Sequence, residues 1–247
     1  MNYFEIKAEN LAYITNFGDV LVRNVNFLFK SGDIICLIGK NGSGKSTLLK
    51  LCSGILRNYY GNLTLNNQNV KNFLNNTHIS WLPQNLPRPE NFNVKEFLYL
   101  NEDFLNNKTL SYNKKEIDYF RVLSDFGLSH LEKRELIQLS GGEWKMVQLA
   151  RIWAYKSKII FLDEPENDLD ISCKNTLIHK IKKIACQNNS IVFIATHNLL
   201  FVKELANNIC VLNNGLWVWN SRSEIFWNSK IIQKTFGVDS YLKIFNN

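Results

Sequence analysis

Polar and apolar residues alternate over residues 3–7, and Val20–Phe29, "VLVRNVNFLF", is rich in β-branched and aromatic side chains. Both stretches predict antiparallel strands. "DIICLIG", Asp33–Gly39, is different: a continuous apolar run ending in glycine, which predicts a central strand buried on both faces. "KSTLLKLCSGIL", from Lys45, then has helical spacing and ends near Gly54, and "GNLTLNNQNV", from Gly61, predicts a hairpin. "LPQNLPRPENF", from Leu82, holds three of the four prolines and predicts a loop. From Asn93 to about Leu139 the pattern is helical. An amphipathic helix runs on after Trp144, with Met146, Leu149, Ala150 and Trp153 on one face. "KIIFLDE" (from Lys158) and "SIVFIATH" (from Ser190) predict further buried strands, with a helix between them from about Ile171 to Asn188. "VLNNGLWVW" carries a hairpin turn at Asn214-Gly215. Strand–helix–strand alternation predicts an α/β fold, a parallel sheet with helices on its faces. The stretch from about 87 to 145 reads as a helical insertion in that core.

Composition narrows the class. The 247 residues are 45% hydrophobic and 21% charged, enough for one large domain or two small ones. No apolar run approaches the roughly 18 residues of a membrane span. The first ten residues contain early acids and no apolar core, which predicts no secretory signal and a protein that is cytosolic or peripheral to a membrane. Cys36, Cys52, Cys173, Cys186 and Cys210 form no C-x-x-C pair, so free thiols in a reducing compartment are expected. His78, His130, His179 and His197 show no metal-ligand spacing. The net charge of +7 suits an anionic partner, but no Lys/Arg block accompanies it. A chain rich in Lys, Asn and Ile accounts for the excess.

The candidate chemistry gathers at strand ends. "GKNGSGKST", Gly39–Thr47, matches G-x-x-x-x-G-K-[ST] between a predicted strand and a predicted helix. Its glycines let several backbone N–H groups point inward as a nest for phosphate oxygens, and the following helix adds positive potential at its N-terminus. Gly39, Lys40, Asn41, Gly42, Ser43, Gly44, Lys45, Ser46 and Thr47 are thus the candidate nucleotide-phosphate site, with Lys45 reaching the β- and γ-phosphates and Ser46 suited to Mg²⁺. Asp163 and Glu164 end a buried strand, where α/β sheets bind ligands. Asp163 is expected to hold Mg²⁺ through water, and Glu164 to polarise the attacking water. His197 ends another strand on the same edge and is a candidate γ-phosphate contact. The Gln84 amide is placed to meet Mg²⁺ or the attacking water. "LSGGE", Leu139–Glu143, is a second anion-binding candidate: Ser140 and the N–H groups of Gly141 and Gly142 open a helix. The same residues form the S-x-x-E capping box, and both roles can hold together.

Gly39–Thr47, Gln84, Leu139–Glu143, Ile159–Pro165, Asp170 and His197 occur in the order and spacing of ABC-transporter ATP-binding subunits. They resemble that family's Walker A, Q-loop, signature, Walker B, D-loop and H-loop motifs across nearly the whole chain. The resemblance implies a P-loop NTPase with a RecA-like, mostly parallel core, an antiparallel β subdomain and an inserted α-helical subdomain. On that pattern, core and β subdomain take about 1–86 and 156–220, the helical subdomain about 87–155, and a tail about 221–247. It also implies an ATPase using ATP and Mg²⁺, with Lys45, Gln84, Glu164 and His197 catalytic and Ser46, Gln84 and Asp163 at the metal. Two subunits would sandwich two ATP molecules head to tail, with Ser140, Gly141 and Gly142 completing the partner's site. An aromatic upstream stacks on adenine in the family; Phe17 or Tyr13 occupies that place.

Three positions depart from the pattern: Asp168 where a small residue is usual, Asn198 after His197 instead of Asp, and Lys40 in place of a frequent proline. "LSGGEWKMVQLAR" and the tail "SEIFWNSKIIQKTFGVD" are similar to vitamin B12 and iron–siderophore importers, with haem and metal-ion importers as neighbours. The implied partners are integral permease subunits, docked on residues 84–100, and a substrate-binding protein, with no nucleic acid. The implied location is peripheral, on the cytoplasmic face of the inner membrane. An exporter or lipid-transport ATPase is the alternative. A soluble repair or chromosome ATPase would need a long coiled-coil insertion, which this chain lacks.

Overall fold

The computed structural model describes residues 4–70, 79–99 and 118–236. A ten-stranded sheet has the order β5-β4-β1-β2-β10-β9-β3-β8-β7-β6. One part is antiparallel: β1 (Glu5–Ile14), β2 (Val20–Lys30), β4 (Tyr60–Leu65) and β5 (Gln68–Asn69). The other is parallel: β6 (Ile79–Leu82), β7 (Ile159–Asp163), β8 (Ile191–Thr196), β3 (Ile34–Ile38) and β9 (Asn208–Asn213), closed by antiparallel β10 (Leu216–Arg222). The two parts meet through the Leu216–Arg23 bridge.

Alternation in the parallel strands separates two cores. Cys36, Ile38, Ile160, Leu162, Val192 and Ile194 face helices α5 (Ile171–Gln187), α6 (Leu199–Leu205) and the helical insertion. Ile35, Leu37, Phe161, Phe193 and Ala195 face α1 (Lys45–Cys52) and the antiparallel strands, where Phe27 and Phe29 pack on Phe193. A strand with both faces covered must be apolar throughout, which is why "IICLI" and "IIFLD" lack alternation.

The insertion contributes α2 (Val94–Tyr99), α3 (Tyr119–Asp125) and α4 (Gly141–Ala154). The expected helical run is interrupted: 3₁₀ turns at Ser129–Leu131 and Leu136–Gln138 replace regular helix, and residues 100–117 lie outside the described residues. Phe97 and Leu98 are core residues, and Tyr99 is exposed. The tail forms α7 (Ser223–Trp227) and α8 (Ile231–Phe236); its end, from Gly237 on, lies outside the described residues.

Parallel register fixes the site. Leu82 lies beside Leu162, Asp163 beside Ala195, and Ile38 beside Thr196. The residues that follow, Gln84, Glu164, His197 and Gly39, therefore emerge along one carboxyl edge of the sheet.

Candidate active site

The loop Gly39–Thr47 is shaped by its backbone. Gly42 and Gly44 have φ of 77° and 99°, the left-handed region that glycine enters without penalty. A Cβ on Gly39 would sit 2.3 Å from the Leu212 carbonyl oxygen, and one on Gly44 2.6 Å from that of Leu21. Ser43 O accepts from Gly215 N–H at 3.0 Å, so the β9–β10 turn clamps the loop. Helix α1 begins at Lys45 with no side-chain cap and no acid in its first turn, leaving its N-terminal N–H groups to an anion. Lys45 is buried, with Nζ donating to Gly39 O at 3.0 Å and Lys40 O at 3.1 Å. Burial lowers its pKa, opposed by the nearby Glu164 and Asp163 carboxylates.

Glu164 is the hub of the edge. Its Oε2 accepts from Gln84 Nε2 at 2.8 Å and Asn167 Nδ2 at 2.5 Å, and its Oε1 lies 3.3 Å from His197 Nδ1. Its φ is +48°, a sparsely populated value for a glutamate, held by Glu164 N–H donating to Ala195 O at 2.9 Å. Strain of this kind persists where the surroundings fix it, and it aims the carboxylate into the cluster. Asp163 is buried; burial raises its pKa, opposed by a hydrogen bond from Ser46, and its Oδ1 has no partner among the described residues. A buried carboxylate oxygen without a donor suits a cation or its water.

The capping box that the Ser140–Glu143 spacing predicts is present. Glu143 N–H donates to Ser140 Oγ at 3.2 Å, and Ser140 N–H donates to Glu143 Oε2 at 2.7 Å, closing the capping box on α4. The backbone bond from Ser140 holds the Glu143 carboxyl below its usual range. Accepting a bond leaves the Ser140 hydroxyl proton free to donate. Trp144 is buried against Phe97 and donates Nε1–H to Leu86 O at 3.2 Å.

Phe17 stands 94% exposed on a loop closed by Thr15, whose backbone N–H donates to Asp19 O at 2.9 Å. Tyr13 instead packs against the second core. The two aromatic candidates thus differ in exposure, Phe17 open and Tyr13 half-buried. Asn198 caps α6 by accepting from Phe201 N–H at 3.1 Å, so replacing the usual Asp keeps that role. Asp168 has φ of +63°.

The family model described as "ABC transporter" matches residues 22–167. The chain belongs to the ABC transporter family. It is an ATP-binding subunit, a transport-coupled ATPase with a P-loop NTPase fold. Over 233 residues it is 29% identical to the zinc import ATP-binding protein ZnuC of Ehrlichia chaffeensis, covering 94% of this chain and 90% of that protein. It is 27% identical to the chelated iron transport system membrane protein YfeB of Yersinia pestis, covering 94% and 79% of the two chains. A solved structure described as an inward-facing putative metal-chelate type ABC transporter superposes with a TM-score of 0.78 at 26% identity, over 95% of this chain and 90% of that one. No described helix of this ABC subunit is long and apolar enough to cross a membrane.

Four residues escaped the sequence reading. Asn167 holds Glu164; Thr196 donates to Glu166 Oε1; Glu166 is buried with Oε2 unpartnered among the described residues; Lys145 reaches Gln84 O at 3.3 Å. Asn167 and Glu166 lie inside "DEPENDLD", where acids and amides are dense enough that spacing alone does not say which side chains turn inward.

Proposed function

We propose that this ABC subunit hydrolyses ATP to drive an importer for a metal ion or metal chelate, working as a head-to-tail homodimer on permease subunits. The observation that carries the hydrolytic role is the Glu164 carboxylate, held by Gln84, Asn167 and His197 at the strand edge that also bears the phosphate loop. Lys45, the Gly39–Thr47 backbone and the α1 N-terminus bind the phosphates, and Phe17 stacks on adenine. Glu164 orients the attacking water, with His197 beside it for the γ-phosphate. Ser46, Asp163 and Gln84 would hold Mg²⁺, which supplies charge neutralisation of the phosphates when bound.

The dimer is supported by the signature glycines. A Cβ on Gly141 would meet Asp168 Cβ at 3.8 Å, and one on Gly142 Asp168 O at 3.5 Å, both ordinary contacts. Neither glycine has a positive φ. Their own chain does not require them to be glycine, unlike Gly39 and Gly44. A bare surface beside an exposed Ser140 suits a phosphate presented by another subunit.

Iron–siderophore, haem or vitamin B12 was the expected cargo; the relatives are named for zinc and chelated iron, so the proposed class is broadened to metals and their chelates. A peripheral place on the cytoplasmic membrane face, and a substrate-binding protein as partner, follow from that role. The test is reconstitution with a candidate permease subunit in vesicles and uptake of radioactive zinc or iron. ATP-dependent uptake lost in Glu164→Gln supports the reading; import of neither metal, or unchanged uptake in the variant, contradicts it.

A further inference from the structure

The segment that carries Gln84 is stitched to the signature element by three hydrogen bonds. Lys145 Nζ donates to Gln84 O at 3.3 Å, Trp144 Nε1 to Leu86 O at 3.2 Å, and Arg88 Nη1 to Leu139 O at 2.6 Å. Of the three, the first lies on the residue whose amide holds Glu164 at 2.8 Å. Two hydrogen bonds and the Gln84 side chain thus link α4 to the hydrolytic carboxylate.

Lys145 is an expensive side chain to place there. It is 7% exposed, and burying an ammonium costs several kcal/mol unless charges or hydrogen bonds compensate. Burial lowers its pKa, while Glu166, Asp168, Asp163 and Glu164, in that order, favour its charge. Glu166 is 1% exposed and brings a carboxylate oxygen without a hydrogen-bond partner among the described residues. Lys45 and Lys145 are the buried lysines among the acids of 163–170, and Lys45 belongs to the phosphate loop. A buried cation facing this acid-rich loop, with its donor on the Gln84 backbone, has a role that core packing does not require; a methionine would fill the same space.

We propose that Lys145 is a positioning residue for ATP hydrolysis: from the signature helix it fixes the Gln84 backbone, and through the Gln84 amide it sets the Glu164 carboxylate. The proposal rests on the hydrolytic reading of Glu164 given above. Lys145 itself touches neither nucleotide nor water in this scheme, so its removal acts on turnover and not on ATP capture.

The experiment is steady-state ATP hydrolysis by the full chain with Mg²⁺, for wild type, Lys145→Met, Gln84→Ala and the double variant. Lys145→Met is expected to lower kcat by up to about tenfold, no more than Gln84→Ala does, the scale of a small misplacement at a reacting group, with KM for ATP little changed. The double variant is expected to be no slower than Gln84→Ala alone, because both changes cut the same link. Lys145→Arg, which keeps the cation and its donors, is expected to recover most of the loss and guards against a Met variant that folds poorly. Wild-type kcat in Lys145→Met, losses that multiply in the double variant, or a rise in KM in place of a fall in kcat would overturn the proposal. If Glu164→Gln retains full hydrolysis, the reading beneath it fails as well, and that control separates the two.

Discussion

Gln84 and Glu164 lie 80 residues apart in sequence, yet Gln84 Nε2 donates to Glu164 Oε2 at 2.8 Å. The bond joins the end of β6 to the end of β7 and makes the amide one of the groups that hold the Glu164 carboxylate. Gln84→Ala removes one of the three groups that hold that carboxylate and is expected to lower kcat about tenfold. Gln84→Glu is expected to do worse, because two carboxylates would then face each other at hydrogen-bond distance. Phosphate release under saturating ATP measures both.

Trp144 makes a separable contribution. Trp144→Phe keeps the ring against Phe97 but loses the bond to Leu86 O, a cost of about 1 kcal/mol. Trp144→Ala also empties core volume and is expected to cost about 3–5 kcal/mol. Urea unfolding midpoints rank the two.

Glu166 is a source of pH-dependent stability. Burial raises its pKa above the unfolded value, with the bond from Thr196 opposing, so the folded chain binds this proton more tightly than the unfolded one. Stability contributed by this group is then lost as pH rises from the ordinary glutamate range through the raised value. Glu166→Gln is expected to be more stable than wild type at neutral pH, with the difference shrinking as pH falls. Asp163, also raised by burial, is common to both proteins and cancels in the comparison. Melting temperatures from pH 4 to 8 test this; a difference independent of pH would contradict it.

The thiols divide by burial. Cys36, Cys52 and Cys210 are buried in the cores, and burial pushes each thiol well above its usual pKa. Only thiolates alkylate readily. Cys186 is exposed and is expected to react first with iodoacetamide, with the three buried thiols following only after unfolding. Peptide mass spectrometry of timed samples gives the order.

Much of this was legible because its signals are local. "DIICLIG" and "KIIFLDE" announce two-sided strands, and the Ser140–Glu143 spacing announces a capping box that the structure contains. β1 was read only over residues 3–7, because Asn10 at φ 48° breaks the alternation with a bulge between Ala8 and Leu11. β6, four residues long, and α6 carry too few residues to show a period. The links from Asn167 and Lys145 depend on tertiary placement, since an amide or a lysine carries no mark of its partner in sequence. Cargo specificity was least legible, because Trp144 serves the packing of the helical insertion.

The central claim is that Ser140 serves a second subunit's nucleotide. Size exclusion of Glu164→Gln with and without ATP, repeated in a Ser140→Arg background, tests it most directly. The prediction is a dimer for Glu164→Gln with ATP and a monomer for the double variant, both binding ATP with similar affinity as monomers. A double variant that still dimerises with ATP, or that loses ATP binding as a monomer, would contradict it.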